Sequence, residues 1–536
     1  MKVRRGAIVA VAVFVSGAVV LGMEIAASRV MAPFFGNSLF VWGALIGVVL
    51  AGLSIGYWVG GALADRWPRP SLLAAVMGLG ALFVLAIPLL DGPVLEAIVR
   101  WDPGPRLNPL FAAIVLFGPP SVVLAGVAPI AVRLWAISLA TLGQTAGRLF
   151  AISTAGSIAG TFATAFWLIP EFGTDQLLGL AAAVLFVAAT LVALSERVVV
   201  LTALVAAGAV AAGVAAVQLA PDTGGTIGAV QARNWSPLYR RAGYVRGQEP
   251  ASTAGLRLLY AKDTRYHRLT VAQDSSERYL RFDNTYQSGM VVGRPFATAF
   301  AYADLFHLFR AYNPNAKKVL FIGLGGGSSP KRIWRDFPDV QIEAVELDPV
   351  VRDVAYRFFA LPHDPRLKVT VDDGRHFLDT HDERWDAILI DAFFADAIPF
   401  HLFTNEFMEL ARSRLNPGGL VMTNTIGSIT GPSSRLFRSV YRTYRSAFPT
   451  VLVHPTILDA AEGDRAVRNL ILVATESAAP SKAFLAERWR EVRKEHPKAP
   501  DLRRRILDRH DRPISITGVP TLTDQYAPTD ALLLIE

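Results

Sequence analysis

The chain has 536 residues, 52% of them hydrophobic and only 18% charged, a formal net charge of +8 and no cysteine. That length calls for more than one domain, and the composition is too apolar for a soluble protein of this size. The lack of cysteine excludes disulfides, thiolate metal sites and a cysteine nucleophile. The basic residues are spread out, without the Lys/Arg block of a nucleic-acid binder, so a membrane surface is the better reason for the charge.

The apolar residues concentrate in 1–220, which is expected to be a transmembrane domain of about seven helices. The segments are 6–31, 39–63, 71–90, 109–136, 147–169, 176–194 and 198–219. The first is not a cleaved signal peptide, because Glu24 and Arg29 stand where a small-residue cleavage site would be. Gly52, Gly56 and Gly60, and Gly156 and Gly160, recur at helix-packing spacing and predict close backbone contacts. The fourth segment holds Pro119, Pro120 and Pro129 and is expected to be irregular. Glu24 is expected to pair with Arg29 or Arg133. The stretch 56–70 resembles the loop after the second helix of major facilitator transporters through Gly61, Asp65 and Arg66, but no inverted repeat accompanies it.

Lys2, Arg4, Arg5, Arg66, Arg69, Arg133, Arg148 and Arg197 fall on one side if every segment crosses, which puts the N-terminus in the cytoplasm. Seven crossings then place the remainder outside, away from a cytosolic nucleoside supply. The expectation is an integral, multi-pass protein of a cell's inner membrane with its soluble part cytoplasmic. That requires one segment not to cross, or an inverted orientation.

Residues 221–262 are expected as a linker, rich in Gly, Pro, Arg and Thr, with one strand near 256–261. Residues 263–310 are expected as a small β-hairpin subdomain and a helix. DTRYHRLTVAQ and RYLRFDNTYQSG alternate polar and apolar residues on either side of the turn at 274–277. FATAFAYADLFHLFRAY then has helical spacing.

Residues 311–536 carry the chemistry. KKVLFIGLGGGSSPKRI places Gly323, Gly325 and Gly327 after an apolar strand, and QIEAVELDP ends a second strand on Glu346. Glycines let the backbone approach a nucleotide, and an acid after the second strand binds ribose hydroxyls. A dinucleotide and an adenosine-sulfonium ligand both satisfy these two signals. VTVDDGRHFL then supplies Asp373, followed by Gly374, where an adenine amine would lie. RWDAILIDAF ends a further strand on Asp391, at the carboxyl edge where open α/β sheets bind ligands. This order is that of class I adenosylmethionine-type transferases. The expected fold is a multi-span α-helical membrane domain plus an α/β Rossmann-like domain with a small N-terminal β subdomain. His267, His307 and His401 lack a second ligand at metal spacing, so no metal is expected. HLFTNEFMELARSRL is read as a helix over 401–415.

From 263 to 426 the chain resembles the spermidine synthase (polyamine aminopropyltransferase) family. The resemblance runs through YHRLTV, through FDNTYQS with Gln287, and through AYADLFHLF with Tyr302 and His307. It continues through Asp391, Ala392, Phe393, Ile398, Pro399, His401, Leu402, Thr404, Glu406 and Phe407. With the terminal Thr523-Asp524 and Ala527-Pro528, the whole chain is similar to membrane-fused spermidine synthase-like proteins. The resemblance implies a transferase of polyamine biosynthesis. It would move an aminopropyl group from decarboxylated S-adenosylmethionine to a small amine or polyamine. Asp391 would be the base, with Gln287 on the cofactor side and Tyr266, His267, Tyr302 and Asp396 on the substrate side. Two departures stand out. Gly326 and Ser328 occupy the loop where the family has Gly-Gly-Gly-Asp-Gly-Gly, whose aspartate holds the donor's amine. Phe394 replaces a second family aspartate. Intact S-adenosylmethionine in a membrane-bound methyltransferase, and a transporter or sensor with a non-catalytic nucleoside- or polyamine-binding domain, therefore stay open. The expected partners are the lipid bilayer and the amine, with no nucleic acid; a homo-oligomer is left open.

Overall fold

The computed structural model describes residues 2–36, 39–104, 106–136, 141–195, 198–219, 226–227, 256–283, 285–393, 398–456 and 463–533. The chain divides into two compact units. The first comprises residues 1–222 and 261–268, and the second comprises residues 223–260 and 269–536.

Among the described residues of the first unit, seven helices are long and apolar enough to cross a membrane. The glycines expected at contacts are there. A Cβ on Gly156 would lie 2.1 Å from the Phe14 carbonyl oxygen, and one on Gly56 the same distance from that of Val122, so only glycine fits. The proline-rich fourth segment breaks into Leu107–Leu116, Gly118–Ala125 and Val127–Trp135. Proline has no N–H and clashes within a helix interior, so Pro119 and Pro120 sit in a first turn. The expected partners of Glu24 are engaged elsewhere: Arg29 donates to the Arg265 carbonyl at 2.5 Å, and Arg133 lies 3.4 Å from Asp65. Residues 261–268, expected to begin the β subdomain, group with the helices. There the Asp263 carboxylate accepts from the Thr174 amide at 3.0 Å, and Arg268 pairs with Asp175 at 3.4 Å.

Two sheets form among the described residues. The smaller one is wider than the expected hairpin, with six strands in sequence order. They are β1 (Thr226–Ile227), β2 (Leu256–Asp263), β3 (Arg268–Gln273), β4 (Glu277–Phe282), β5 (Thr285–Val291) and β6 (Arg294–Thr298). The stretch read as one strand turns at Asp283, whose φ is 52°, so it forms both β4 and β5. The expected helix over 296–312 begins instead as β6, then a 3-10 helix at Ala301–Leu308 and one α turn at Phe309–Tyr312. The sheet packs Leu269, Val271, Leu280 and Met290 against Val351, Val354 and Phe359 of the helix Pro349–Phe359.

The larger sheet has seven strands in the order β12-β13-β11-β10-β7-β8-β9. These are β7 (Lys318–Ile322), β8 (Gln341–Glu346), β9 (Leu367–Val371), β10 (Trp385–Ile390), β11 (Leu415–Gly427), β12 (Thr450–Pro455) and β13 (Arg468–Thr475). β9, β8, β7, β10 and β11 run parallel, whereas β13 is antiparallel to both neighbours. Both faces are covered, which explains the unbroken apolar runs. Val319, Phe321, Ala387 and Leu389 face one core, while Leu320, Ile322, Ile388 and Ile390 face the other. Strand order reverses between β7 and β10, and the carboxyl ends at such a switch point are where open α/β sheets bind ligands. The helix expected over 401–415 is a 3-10 turn at Phe400–Leu402 and an α-helix at Asn405–Ser413, whose amide at Phe407 the Thr404 hydroxyl caps.

Candidate active site

The loop after β7 turns through three glycines with positive φ, Gly323 (94°), Gly325 (54°) and Gly327 (68°). Any side chain on Gly323 would strike the Asp391 carbonyl, 2.2 Å from its Cβ. The loop amides are already engaged. Gly323 donates to the Val345 carbonyl at 2.8 Å and Gly327 to that of Leu324 at 2.9 Å. Leu324 and Gly325 donate to Oε2 of Glu346 at 3.0 and 3.4 Å, and Gly326 donates to the Ser288 hydroxyl at 2.9 Å. A loop that cradles pyrophosphate needs those N–H groups for its ligand. This loop spends them on a carboxylate and a hydroxyl, which favours an adenosine-sulfonium ligand over a dinucleotide.

Glu346 ends β8, and its other oxygen accepts from the Asp348 amide at 3.0 Å. Burial pushes its carboxyl up to about 7, against the pull of these backbone donors. Each carboxylate oxygen has two lone pairs, so Oε2 is filled by its two amides and one lone pair, on Oε1, remains for a ribose hydroxyl. Asp373 follows β9 and caps the helix Gly374–Thr380 through the amides of Arg375 and His376, at 2.9 and 3.0 Å. Its second oxygen meets Nε2 of His401 at 2.9 Å. The His401 hydrogen bond, with these two amides, holds the Asp373 carboxyl down at about 2. That oxygen retains a lone pair for an adenine amine. Gly374 lies against Ile322, where a Cβ would come within 2.3 Å of a methyl carbon.

Asp391 follows β10 at the switch point. Its amide donates to the Ile322 carbonyl at 2.9 Å, which fixes it beside the glycine loop. The Asn424 amide donates to its carboxylate at 2.9 Å, and the Tyr302 hydroxyl donates to it as well. Burial wins over these two donors and raises the carboxyl to about 6. Such a group is charged near neutral pH yet close to its protonation midpoint, which suits a general base.

The structure thus brings Gly323, Gly325, Gly327, Glu346, Asp373, Gly374, Asp391 and Tyr302 to one sheet edge. Gln287 stands on β5 one residue before Ser288, and its amide donates to the Thr285 hydroxyl at 2.7 Å. Tyr266 and His267 belong to the 261–268 segment of the other unit, where their amides donate to the Thr264 hydroxyl at 3.1 and 3.2 Å. Asp396 and Phe394 lie outside the described residues. His307 is a core residue between Asp336 and the Asp304 carbonyl, both at 3.1 Å.

Sequence reasoning missed Asn424 and Ser288 and gave His401 no role. The signal for Asn424 was present, since Thr423-Asn424-Thr425 interrupts an apolar strand at its carboxyl end. Ser288 had no comparable mark. At Gly326, where the family carries an acid, a Cβ would lie 3.0 Å from both Ser288 Cβ and Phe359 Cδ1, so a larger side chain must displace the loop or its neighbours.

The spermine/spermidine synthase domain model matches residues 299–458. A polyamine aminopropyltransferase of Vibrio vulnificus is 34% identical over 140 residues, covering 26% of this chain and 45% of that protein. An eEF1A lysine and N-terminal methyltransferase of Danio rerio is 38% identical over 144 residues, covering 25% of this chain and 20% of that protein. A crystal structure of a probable spermidine synthase from Corynebacterium glutamicum is 19% identical with a TM-score of 0.39, covering 51% of this chain and 97% of the other. The chain spans less than half the length of either of these two curated relatives. Its C-terminal unit holds a Rossmann-like sheet with an acid-lined switch point, and residues 299–458 of it are similar to the spermine/spermidine synthase domain.

Proposed function

We propose that the protein is a membrane-tethered aminopropyltransferase. Its donor substrate is decarboxylated S-adenosylmethionine and its acceptor a small amine or polyamine. Glu346 would hold the ribose, Asp373 the adenine amine, and the loop at Gly323, Gly325 and Gly327 would lie beneath the nucleoside, with Gln287 on the same side. The helical unit is read as the anchor, with the transferase unit on the cytoplasmic side, where such donors are made. Asp391 carries the reading. A protonated amine has no lone pair, so the Asp391 carboxylate takes its proton. The freed nitrogen then forms a bond to the carbon beside the sulfonium. The carbon–sulfur bond breaks, and its electron pair stays on sulfur as a neutral thioether. The second unit contributes alignment of the reactants beside this base.

One observation favours a second reading. The crowding at Gly326 leaves the loop without the acid that would grip the donor's amine. Intact S-adenosylmethionine and methyl transfer are then the rival chemistry. The test is a mass-spectrometric assay of the purified full chain in detergent, offered each donor with a panel of amines. Aminopropyl adducts from the decarboxylated donor are expected. Methyl adducts from the intact donor alone would replace the first reading with the second. Consumption of neither donor, with nucleoside still bound, would leave a binding domain.

A further inference from the structure

Three adjacent strands place three polar side chains in a row at the carboxyl edge. Asn469 on β13 donates through Nδ2 to Oδ1 of Asn424 on β11, at 3.0 Å. Asn424 donates through its own Nδ2 to Oδ1 of Asp391 after β10, at 2.9 Å. Both amides are 2% exposed. A carboxylate only accepts, so the Asn424 NH2 must face Asp391 and its carbonyl oxygen must face away. That oxygen needs a donor in the interior, and Asn469 is the one supplied. The backbone of Asn469 is pinned in turn, because the Thr456 amide and hydroxyl donate to its carbonyl at 3.1 and 3.0 Å.

We infer that Asn469 is a positioning residue for the transfer. It fixes the direction of the Asn424 amide, so that Asp391 is always offered a donor and never an acceptor. The inference rests on Asp391 being the base. Asn469 touches neither reactant in this scheme and acts through Asn424. The groups facing the Asp391 carboxylate among the described residues are Asn424 from β11 and Tyr302 from the 3-10 helix. Among the described residues, no charged side chain influences it. Its proton affinity is therefore set by burial and by these two donors, which makes amide direction consequential.

Asn469→Leu removes the outer donor and frees the Asn424 amide to rotate. Asn469→Asp keeps the shape but replaces a donor with an acceptor. The Asn424 NH2 then turns toward residue 469 and its oxygen toward Asp391, which favours a protonated Asp391. The readout is the infrared carboxylic-acid band that Asp391→Asn abolishes, titrated with pH in the full chain in detergent. It needs no turnover, so a failed transferase assay leaves it intact. The expected midpoint rises by about half a unit to one unit in Asn469→Leu, roughly the worth of one hydrogen bond, and further in Asn469→Asp. Where donor turnover is measurable, the acid limb of the rate profile moves with it. A parent-like midpoint in Asn469→Asp, with folding confirmed by circular dichroism, overturns the inference. So does a parent chain in which no band is lost on Asp391→Asn, since nothing would then titrate for the amides to steer.

Discussion

At the middle of the sheet edge Asp391 is half-buried and meets two uncharged donors, Asn424 and Tyr302, whereas at the outer end Asp373, also half-buried, meets two backbone amides and His401. The same carboxyl group is driven up to about 6 in one place and down to about 2 in the other. A permanently charged acid suits recognition of an adenine amine, which must not depend on pH. An acid near its midpoint suits work that needs it to gain and lose a proton. Glu346, buried between them and raised to about 7, belongs with Asp391 in its environment and with Asp373 in its assigned role.

The largest expected effect tests whether both acids serve one ligand. Gly323→Val places side-chain atoms onto the Asp391 carbonyl and imposes a strained backbone at φ 94°. Calorimetric titration with methylthioadenosine is expected to show no binding heat for a chain that circular dichroism still finds folded. Parent affinity in this variant removes the loop assignment.

Next in size, Asp391→Asn is expected to cut turnover by about a hundredfold or more while leaving methylthioadenosine affinity near the parent value. Asparagine keeps the shape and cannot accept the amine's proton. Equal turnover would make Asp391 a structural cap and end its contrast with Asp373.

A smaller effect concerns pH. The parent rate is expected to fall below about pH 6 as Asp391 takes up a proton. Tyr302→Phe removes a donor to the charged form, so the limb should move upward by about half a unit to one unit. A downward move would mean that Tyr302 stabilises the neutral acid instead.

Stability should separate the two acids by sign. Asp391 is raised in the folded chain, so its contribution is present below about pH 4 and is lost as pH rises through about 6. Asp391→Asn should therefore gain more thermal stability over the parent at pH 8 than at pH 5. Asp373 is lowered, so its contribution is present above about pH 4 and is lost as pH falls through about 2. Asp373→Asn should lose stability at pH 7 and approach the parent near pH 2. Melting curves that shift the same way for both variants would erase the comparison.

The smallest effect is at the outer end. Arg375, in the turn that Asp373 caps, is held by a bidentate pair with Asp524 at 2.6 Å for each bond. The pair is partly exposed, so Asp524→Asn is expected to weaken methylthioadenosine binding by about fivefold or less. A loss comparable to that of Gly323→Val would show that the C-terminal segment forms the binding site.

Much of this site was legible before any coordinates. Glu346 ends a strand and Gly323, Asp373 and Asp391 follow one within two residues, and strand ends are visible wherever an apolar run stops at a glycine or an acid. The apolar helices were equally plain, because about twenty apolar residues in a row leave few alternatives. The errors arose where local pattern was overruled by neighbours. The helix expected at 296–312 opens as a strand because β5 offers it a pairing edge. The subdomain boundary moved because Asp263 and Arg268 bond to Thr174 and Asp175, about ninety residues earlier.

The sequence alone determined which residues end the parallel strands, which segments are too apolar for water and which loop bends only with glycine. These follow from side-chain polarity and backbone sterics within short stretches. Tertiary structure decided how each acid behaves. Asp391 and Asp373 are the same residue type in the sequence, and their proton affinities separate only when β11 delivers Asn424 to one and the 400–402 turn delivers His401 to the other. Burial and hydrogen-bond partners come from residues far apart in the chain, so no local pattern encodes them.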